Sequence, residues 1–566
     1  MYAKIYISII AVLFTFGGAI AQQTIQRSST KDTIKSDVIV VRAYDPTVSD
    51  ANKINIIPNI KDSTKVDVKF NYYIDAEKAD AEFEVMPIKA AKILPEPLKK
   101  LYHSNLTAGF GNYYTPYVEY SYNSLRSKKN SYSVHLKHLS SAGKLKLDGY
   151  DEKVFAGFSN NLAEINSKHF VNRNSTITLA AFFNRDVYHN YGFLVDSLPE
   201  NVDSLPAKDD YKQRYWSAGA NIRYMSNNID SNHFNYNTGI AYNYLENLQK
   251  GNQHTIEFDG NFNKFHKREM LGADIHVGTY LFEQDSIDNM RVNIGIKPFI
   301  KVGNKKWQIK AGLDVIADVY DEAVNYYFYP NVHFEYNIVE TFLTPYIGIY
   351  GRNDVNHYSK IIRENPYITS NLAVQNTNNL FIGKAGFRGK LSKSLSYNLG
   401  VDYSIINGMY FFVNDTSTKY DNTFTVEYDN VKLTTYSAEV YWAKTKKLSF
   451  GLKGEYFQYR MDSLLKPWHK PEYEITLTTR YNLRDKILVN FDIFAISQRF
   501  AKDMYNVKTP IKLGGTIDVN LGVEYRYNKL ISAFVKFNNI AAVKYYKFNQ
   551  YPTQRFNIML GLSYSF

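Results

Sequence analysis

From Ser104 to its end the chain alternates apolar and polar residues with a period of two, so each extended segment carries one greasy and one polar face. In Thr516 to Asn528, Ile517, Val519, Leu521, Val523, Tyr525 and Tyr527 share a face, opposite Asp518, Asn520, Gly522, Glu524, Arg526 and Asn528. In Phe234 to Tyr244, Phe234, Tyr236, Ile240, Tyr242 and Tyr244 alternate with Asn235, Asn237, Gly239, Ala241 and Asn243. The closing segment sets Phe556, Ile558, Leu560, Leu562, Tyr564 and Phe566 against Asn557, Met559, Gly561, Ser563 and Ser565. A soluble β-sandwich would show the same alternation. Length separates the two, because these segments run to about ten to thirteen residues, enough for a tilted membrane crossing and more than the usual soluble strand.

Connection lengths add to the picture. Tight turns are expected near Ser124 to Asn130, Ser226 to Asn232, Lys264 to Arg268, Val302 to Lys305, Gly389 to Ser394, Thr445 to Lys447, Asn482 to Asp485, and Asn528 to Lys529. Longer connections are expected near Ser141 to Lys153, Asp186 to Tyr211, Asn353 to Asn378, Asn407 to Asp429, Asp462 to Pro471, Gln498 to Gly514, and Ala541 to Gln554. Short and long tend to alternate, as periplasmic turns and extracellular loops do. The pattern predicts an all-β, transmembrane antiparallel β-barrel of about 22 strands over 104–566, with both termini periplasmic.

The first residues change the setting. Lys4, the apolar run Ile5 to Phe16, and Ala19 and Ala21 before Gln22 read as a cleavable secretory signal over 1–21. Residues 22–103 then form a short plug-like or periplasmic segment, since a barrel of this size has a lumen wide enough to need filling. No later stretch is long and apolar enough for a membrane helix. The chain has no Cys, which removes disulfides, thiolate metal sites and Cys nucleophiles. Its 49 Tyr and 35 Phe suit the aromatic girdles of a membrane barrel. The net charge of +12 is spread along the chain and not gathered into blocks, which argues against nucleic acid as a partner.

Candidate chemistry is sparse. His138 and Ser140 would share a strand face, at the His-x-Ser spacing that a barrel phospholipase uses with a carboxamide orienting the His. The residues around them do not match that family's motif, so the pair reads as a polar strand end. His135 and His138 would face opposite ways, which disfavours a shared metal. The Asp- and Asn-rich stretch near Asp415 could offer oxygen ligands to calcium but more often such residues cap turns. The sequence shows no phosphate loop, dinucleotide fingerprint or zinc spacing. It therefore predicts no enzyme, catalytic residue, cofactor or metal.

The ending VNLGVEYRYNKLISAFVKFNNIAAVKYYKFNQYPTQRFNIMLGLSYSF resembles the last strands of TonB-dependent receptors, and Tyr564 and Phe566 resemble the signal read by barrel-assembly machinery. YDPTVSDANKIN, PIKAAKI and AGFGNYYTPYVEYSYNSLRSKKNSYSVHLKHLSSAGKLK resemble TonB-dependent-receptor-like outer-membrane proteins of the Bacteroidota, a family without a settled activity. Asp37, Val38, Ile39, Val40 and Val41 resemble a TonB box, through which TonB adds a strand by main-chain hydrogen bonds. The Arg-Gly and Asp-Gly landmarks of a receptor plug are absent between this segment and the barrel. The resemblance implies a barrel in the outer membrane of a Gram-negative cell, surrounded by its lipid, inserted by the assembly machinery, and transporting a substrate with TonB. The short N-terminal segment leaves an alternative: an accessory barrel of an assembly or export complex, docking surface lipoproteins or other barrels.

Overall fold

The computed structural model describes residues 100–566 except 126, 150–151, 194–205, 229–232, 286, 322, 446 and 507. The chain divides into Met1–Pro95 and Glu96–Phe566, and every described residue belongs to the second. The signal and most of the expected plug-like segment therefore lie outside the described residues.

A single 22-stranded antiparallel sheet forms the molecule's wall. Each strand pairs with the next. The first, Ser104–Gly111, pairs with Thr115–Asn123 on one side and with the last, Asn557–Ser565, on the other, so the sheet closes into a barrel and leaves no free edge. Ser104 and Phe566 exchange both main-chain hydrogen bonds at 2.9 Å, which fixes the start and end of the barrel at one rim. With strands about 4.8 Å apart and tilted by about 40°, a barrel of this strand number is roughly 40 Å across.

The alternation read from the sequence becomes an outside and an inside. On the closing strand Leu560 and Leu562 are 59% and 61% exposed, whereas Met559 on the other face is 7% exposed. Leu136, Ile165, Ile240, Leu452 and Ile517 repeat this outward exposure around the wall. No second sheet covers these side chains, so the sandwich alternative falls and the apolar belt is the face that lipid would wet. Rings gather where such a belt should end. Tyr564 and Phe566 stack at the terminal rim, with centroids 5.2 Å apart, and Phe183, Trp216 and Tyr244 pack together near the other.

All eight expected tight turns fall at the terminal rim, which also turns at residues 171–174 and 337–343. Long connections occupy the far rim, but alternation in length is not strict: the strands joined through 112–114 and 247–251, and those that end at Gln284 and Tyr320, have short far-rim connections. One expectation is corrected. Asn407 to Asp429 is mostly strand and not a long connection, because Leu395–Asp415 and Thr423–Thr445 stay paired to their tips. The ladder slips between Ile406 and Met409, where Gly408 takes a φ of 68° that other residues rarely adopt. Asn, Asp and Gly in this stretch imitate a loop, but Phe411, Phe412, Val413 and Phe424 are buried and hold the tips in place.

Candidate functional site

The far-rim segments fold onto one another. A buried apolar cluster unites Leu145 and Val154, which follow the strand Asn130–Ser141, Tyr191 and Phe193, which follow Ser175–His189, Ile361, Ile368 and Leu372 from 355–376, the strand-tip residues Phe412 and Phe424, and Phe548 and Tyr551 from 539–556. These segments leave the wall at widely separated points around the ring. A continuous core that joins them must cross the mouth, and so the loops form a lid.

Aromatic contacts and directed hydrogen bonds build it. Tyr367 stacks on Tyr551 with centroids 3.9 Å apart, and Phe424 lies edge-on or tilted against Phe548, Tyr551 and His469. Such pairs add to the burial of the rings themselves. Tyr191 donates to the carbonyl of Pro552 at 2.9 Å and Tyr215 to that of Pro366 at 3.0 Å. The tip of Thr423–Thr445 is annealed to the loop beside it: Phe424 N–H donates to Tyr367 O and Thr369 N–H to Phe424 O, both at 2.9 Å. Across the mouth, the Asn422 amide donates to the Asn190 carbonyl.

Two histidines are locked in neutral form. His469 Nδ1 lies 2.9 Å from the Phe412 carbonyl, to which it donates, and its Nε2 accepts from Asn549 N–H at 3.1 Å. Burial pushes its pKa down to about 3. His357 precedes a short helix, α1 (Tyr358–Glu364), which packs Tyr358, Ile361 and Ile362 inward. Its Nδ1 accepts from the Gln253 amide at 2.9 Å, while the Gln253 oxygen accepts from Ser359 N–H at 2.8 Å. Burial, helped by Lys360 and Arg363, lowers its pKa to about 3. Gln253 belongs to the lumen face of the wall, as do Arg291 and Asp318, which bond Asn376 at 2.5 and 2.9 Å. The loop carrying α1 thus reaches into the barrel.

Beneath that loop lies a polar chamber of about 590 Å³, lined by residues including Arg223, Glu257, Asp259, His276, Lys297 and Lys360. A neighbouring space of about 370 Å³ shares Asp354 and Lys360 and adds Arg352, Asp402 and Lys470. Both charge signs are interleaved, as where the chamber's Lys297 stands 3.8 Å from Asp314. The surface can hydrogen-bond a polar solute, and the joined far-rim segments lie above it.

Residues singled out in the sequence have separate fates. Asp37, Val38, Ile39, Val40 and Val41 lie outside the described residues. Tyr564 and Phe566 point outward at the terminal rim, 43% and 51% exposed. Asp415 accepts from the amide and hydroxyl of Ser417 at 3.0 and 2.6 Å, which is turn capping. His135 turns inward to Glu119 at 2.8 Å and Glu164 at 3.4 Å, while His138 turns outward to Ser140 and Asn161. Asn161, α1 and the lid leave no mark in the sequence pattern, since their partners are remote along the chain and no local period belongs to them.

The sequence matches no protein-family model and no curated protein. The fold does have solved counterparts. The ferric-catecholate import receptor Fiu of E. coli K12, in its closed form, aligns with a TM-score of 0.61 at 11% identity over 83% of this chain and 82% of that one. The FrpB iron transporter of Neisseria meningitidis gives 0.63 at 10% identity over 83% and 82%. The P. aeruginosa receptor FpvA, bound to a heterologous pyoverdine with iron, gives 0.63 at 11% identity over 82% and 72%. At these identities the likeness is one of fold: this chain has the 22-strand barrel of TonB-dependent receptors.

Proposed function

We propose that this chain is a gated transporter of the outer membrane, taking a polar solute through a lid that opens on demand. The observation that carries the reading is the loop lid over a charged chamber, set in a barrel of the receptor fold. In this reading the far rim faces outward, both termini are periplasmic, and TonB pulls at Asp37 to Val41 to release the path. The fold's counterparts include a ferric-catecholate import receptor, an iron transporter and a receptor that holds a pyoverdine with iron. The chamber's mixed charges support a polar solute without choosing among such cargoes. Tyr564 and Phe566 serve the assembly machinery.

Deleting Asp37 to Val41 should abolish uptake and leave a heat-modifiable, correctly inserted barrel; uptake at the original rate would remove the transport reading. A second reading, an accessory barrel docking surface lipoproteins or other barrels, is favoured by the lid's own solidity. Phe411, Phe424, Ile361 and Ala501 are 0% exposed, and a lid so well packed also makes a firm docking platform. Gentle purification from native membranes then yields stable partner chains, whereas the transporter reading expects a barrel that purifies alone.

A further inference from the structure

The outward face of the wall carries an arrangement that transport does not use. His138 and Ser140 lie two residues apart on Asn130–Ser141, and Asn161 stands directly across the ladder from His138. His138 Nε2 is 3.1 Å from Ser140 Oγ, and Nδ1 is 2.7 Å from Asn161 Oδ1. The Asn161 amide is itself oriented, because its Nδ2 donates to Ser159 Oγ at 3.1 Å and to the Arg185 carbonyl at 2.9 Å. Its oxygen is therefore the atom turned to the imidazole. An amide oxygen only accepts, so Nδ1 carries the ring proton and the Nε2 lone pair faces the Ser140 hydroxyl. Nucleophile, base and orienting group stand in the order that acyl transfer requires, with a carboxamide as the third member.

Location selects the substrate. On the same outward face, Leu136 and Ile165 are 44% and 57% exposed and lead down the lipid-facing belt. The register runs His138, Asn161, Arg185 and Trp216 as one row across four neighbouring strands. Each step along such a row changes height by about 3 Å, given strands about 4.8 Å apart and tilted about 40°. The three polar groups thus lie within roughly 10 Å in height of Trp216 and its aromatic band, the mark of a lipid–water boundary. Ester groups of membrane lipids sit at that depth. Arg185, exposed and directly across from Asn161, places a guanidinium suited to phosphate beside them.

We propose that Ser140, His138 and Asn161 form a serine acyl-hydrolase site for acyl esters of phosphate-bearing membrane lipids. Ser140 Oγ attacks the ester carbonyl as His138 Nε2 takes its proton. The tetrahedral adduct collapses, the carbonyl–alkoxide bond breaks, and His138 returns the proton to the departing lysolipid oxygen. Water from the interface, deprotonated by His138, then attacks the acyl-Ser140 ester and releases the fatty acid, and the proton returns to Ser140. Ser159, paired directly with Ser140 across the ladder, accepts from Asn161 and so has its own hydroxyl proton to donate to the carbonyl oxygen. Asn161 is a positioning residue.

The full chain in detergent micelles tests this with a fluorophosphonate probe and with 1-palmitoyl-2-oleoyl-phosphatidylglycerol in mixed micelles. The expected results are a single adduct on Ser140, fatty-acid release by the native protein, and loss of both in Ser140→Ala. Asn161→Ala should lower kcat at least tenfold with KM unchanged, and Asn161→Asp, which keeps the acceptor oxygen, should recover part of it. Arg185→Ala should raise KM for phosphatidylglycerol and leave KM for an uncharged diacylglycerol in place. Heat-modifiable migration checks that each variant has folded. A folded native protein that neither takes the probe nor releases fatty acid overturns the proposal, as does a Ser140→Ala variant as active as the native protein.

Discussion

His469 and His357 give the lid a pH dependence that the wall does not share. Each is held neutral by burial, with a pKa lowered to about 3 from the usual value near 6.5. Between those values the opened lid binds more protons than the closed one, so closure is fully favoured above pH 6.5 and weakens as pH falls. At pH 5 each histidine contributes about 2 kcal/mol toward opening. Hydrogen exchange, corrected for its intrinsic pH dependence, should therefore quicken in 355–376 and 462–472 between pH 6.5 and 4.5 while the strands stay protected; protection unchanged over that range contradicts the assignment. Phe424 offers a pH-independent version of the same test. Its ring is fully buried among Phe548, Tyr551 and His469, so Phe424→Ala should cost the lid about 3–5 kcal/mol. Limited proteolysis should then cut the far-rim loops of an intact barrel. The spacing of His138 and Ser140 is visible along the chain, but Asn161 joins them only through the strand register.

At the scale of elements, the strands were legible because every one must keep an apolar face to lipid and a mainly polar face to the lumen, and this imprints a period of two. Turns at the terminal rim were legible because tight reversals favour Asn, Asp, Gly or Ser at fixed places. The far rim obeys neither constraint. The tips of Leu395–Asp415 and Thr423–Thr445 are loop-like in composition yet remain strands, since their side chains pack into a core supplied by other loops. The closing strand carries a direct check on which face meets lipid. Leu560→Arg should destabilise insertion by about 2–4 kcal/mol if this outward side chain lies near the bilayer midplane. Ser563→Arg, on the lumen face, should cost far less in the same refolding titration into lipid vesicles. Equal effects at the two positions would mean that the faces have been assigned the wrong way round.

For the molecule as a whole, closure of the sheet explains why a chain without disulfides keeps a wide barrel, and a shared buried core explains how far-rim segments stay joined over its mouth. The wall could be inferred from a local repeat, whereas the lid arises where loops from separated points of the ring meet. Gating by that lid is open to direct measurement. The chain has no Cys, so a thiol introduced into the chamber reports alone. Asp259 lines that chamber with a side chain 53% exposed within it. The measurement is the rate at which Asp259→Cys in intact cells reacts with a bulky, membrane-impermeant maleimide compared with a small one. A closed lid predicts that the bulky reagent is at least tenfold slower, and that adding Phe424→Ala and Tyr551→Ala removes most of the difference. Equally rapid labelling by both reagents with the lid intact would contradict it.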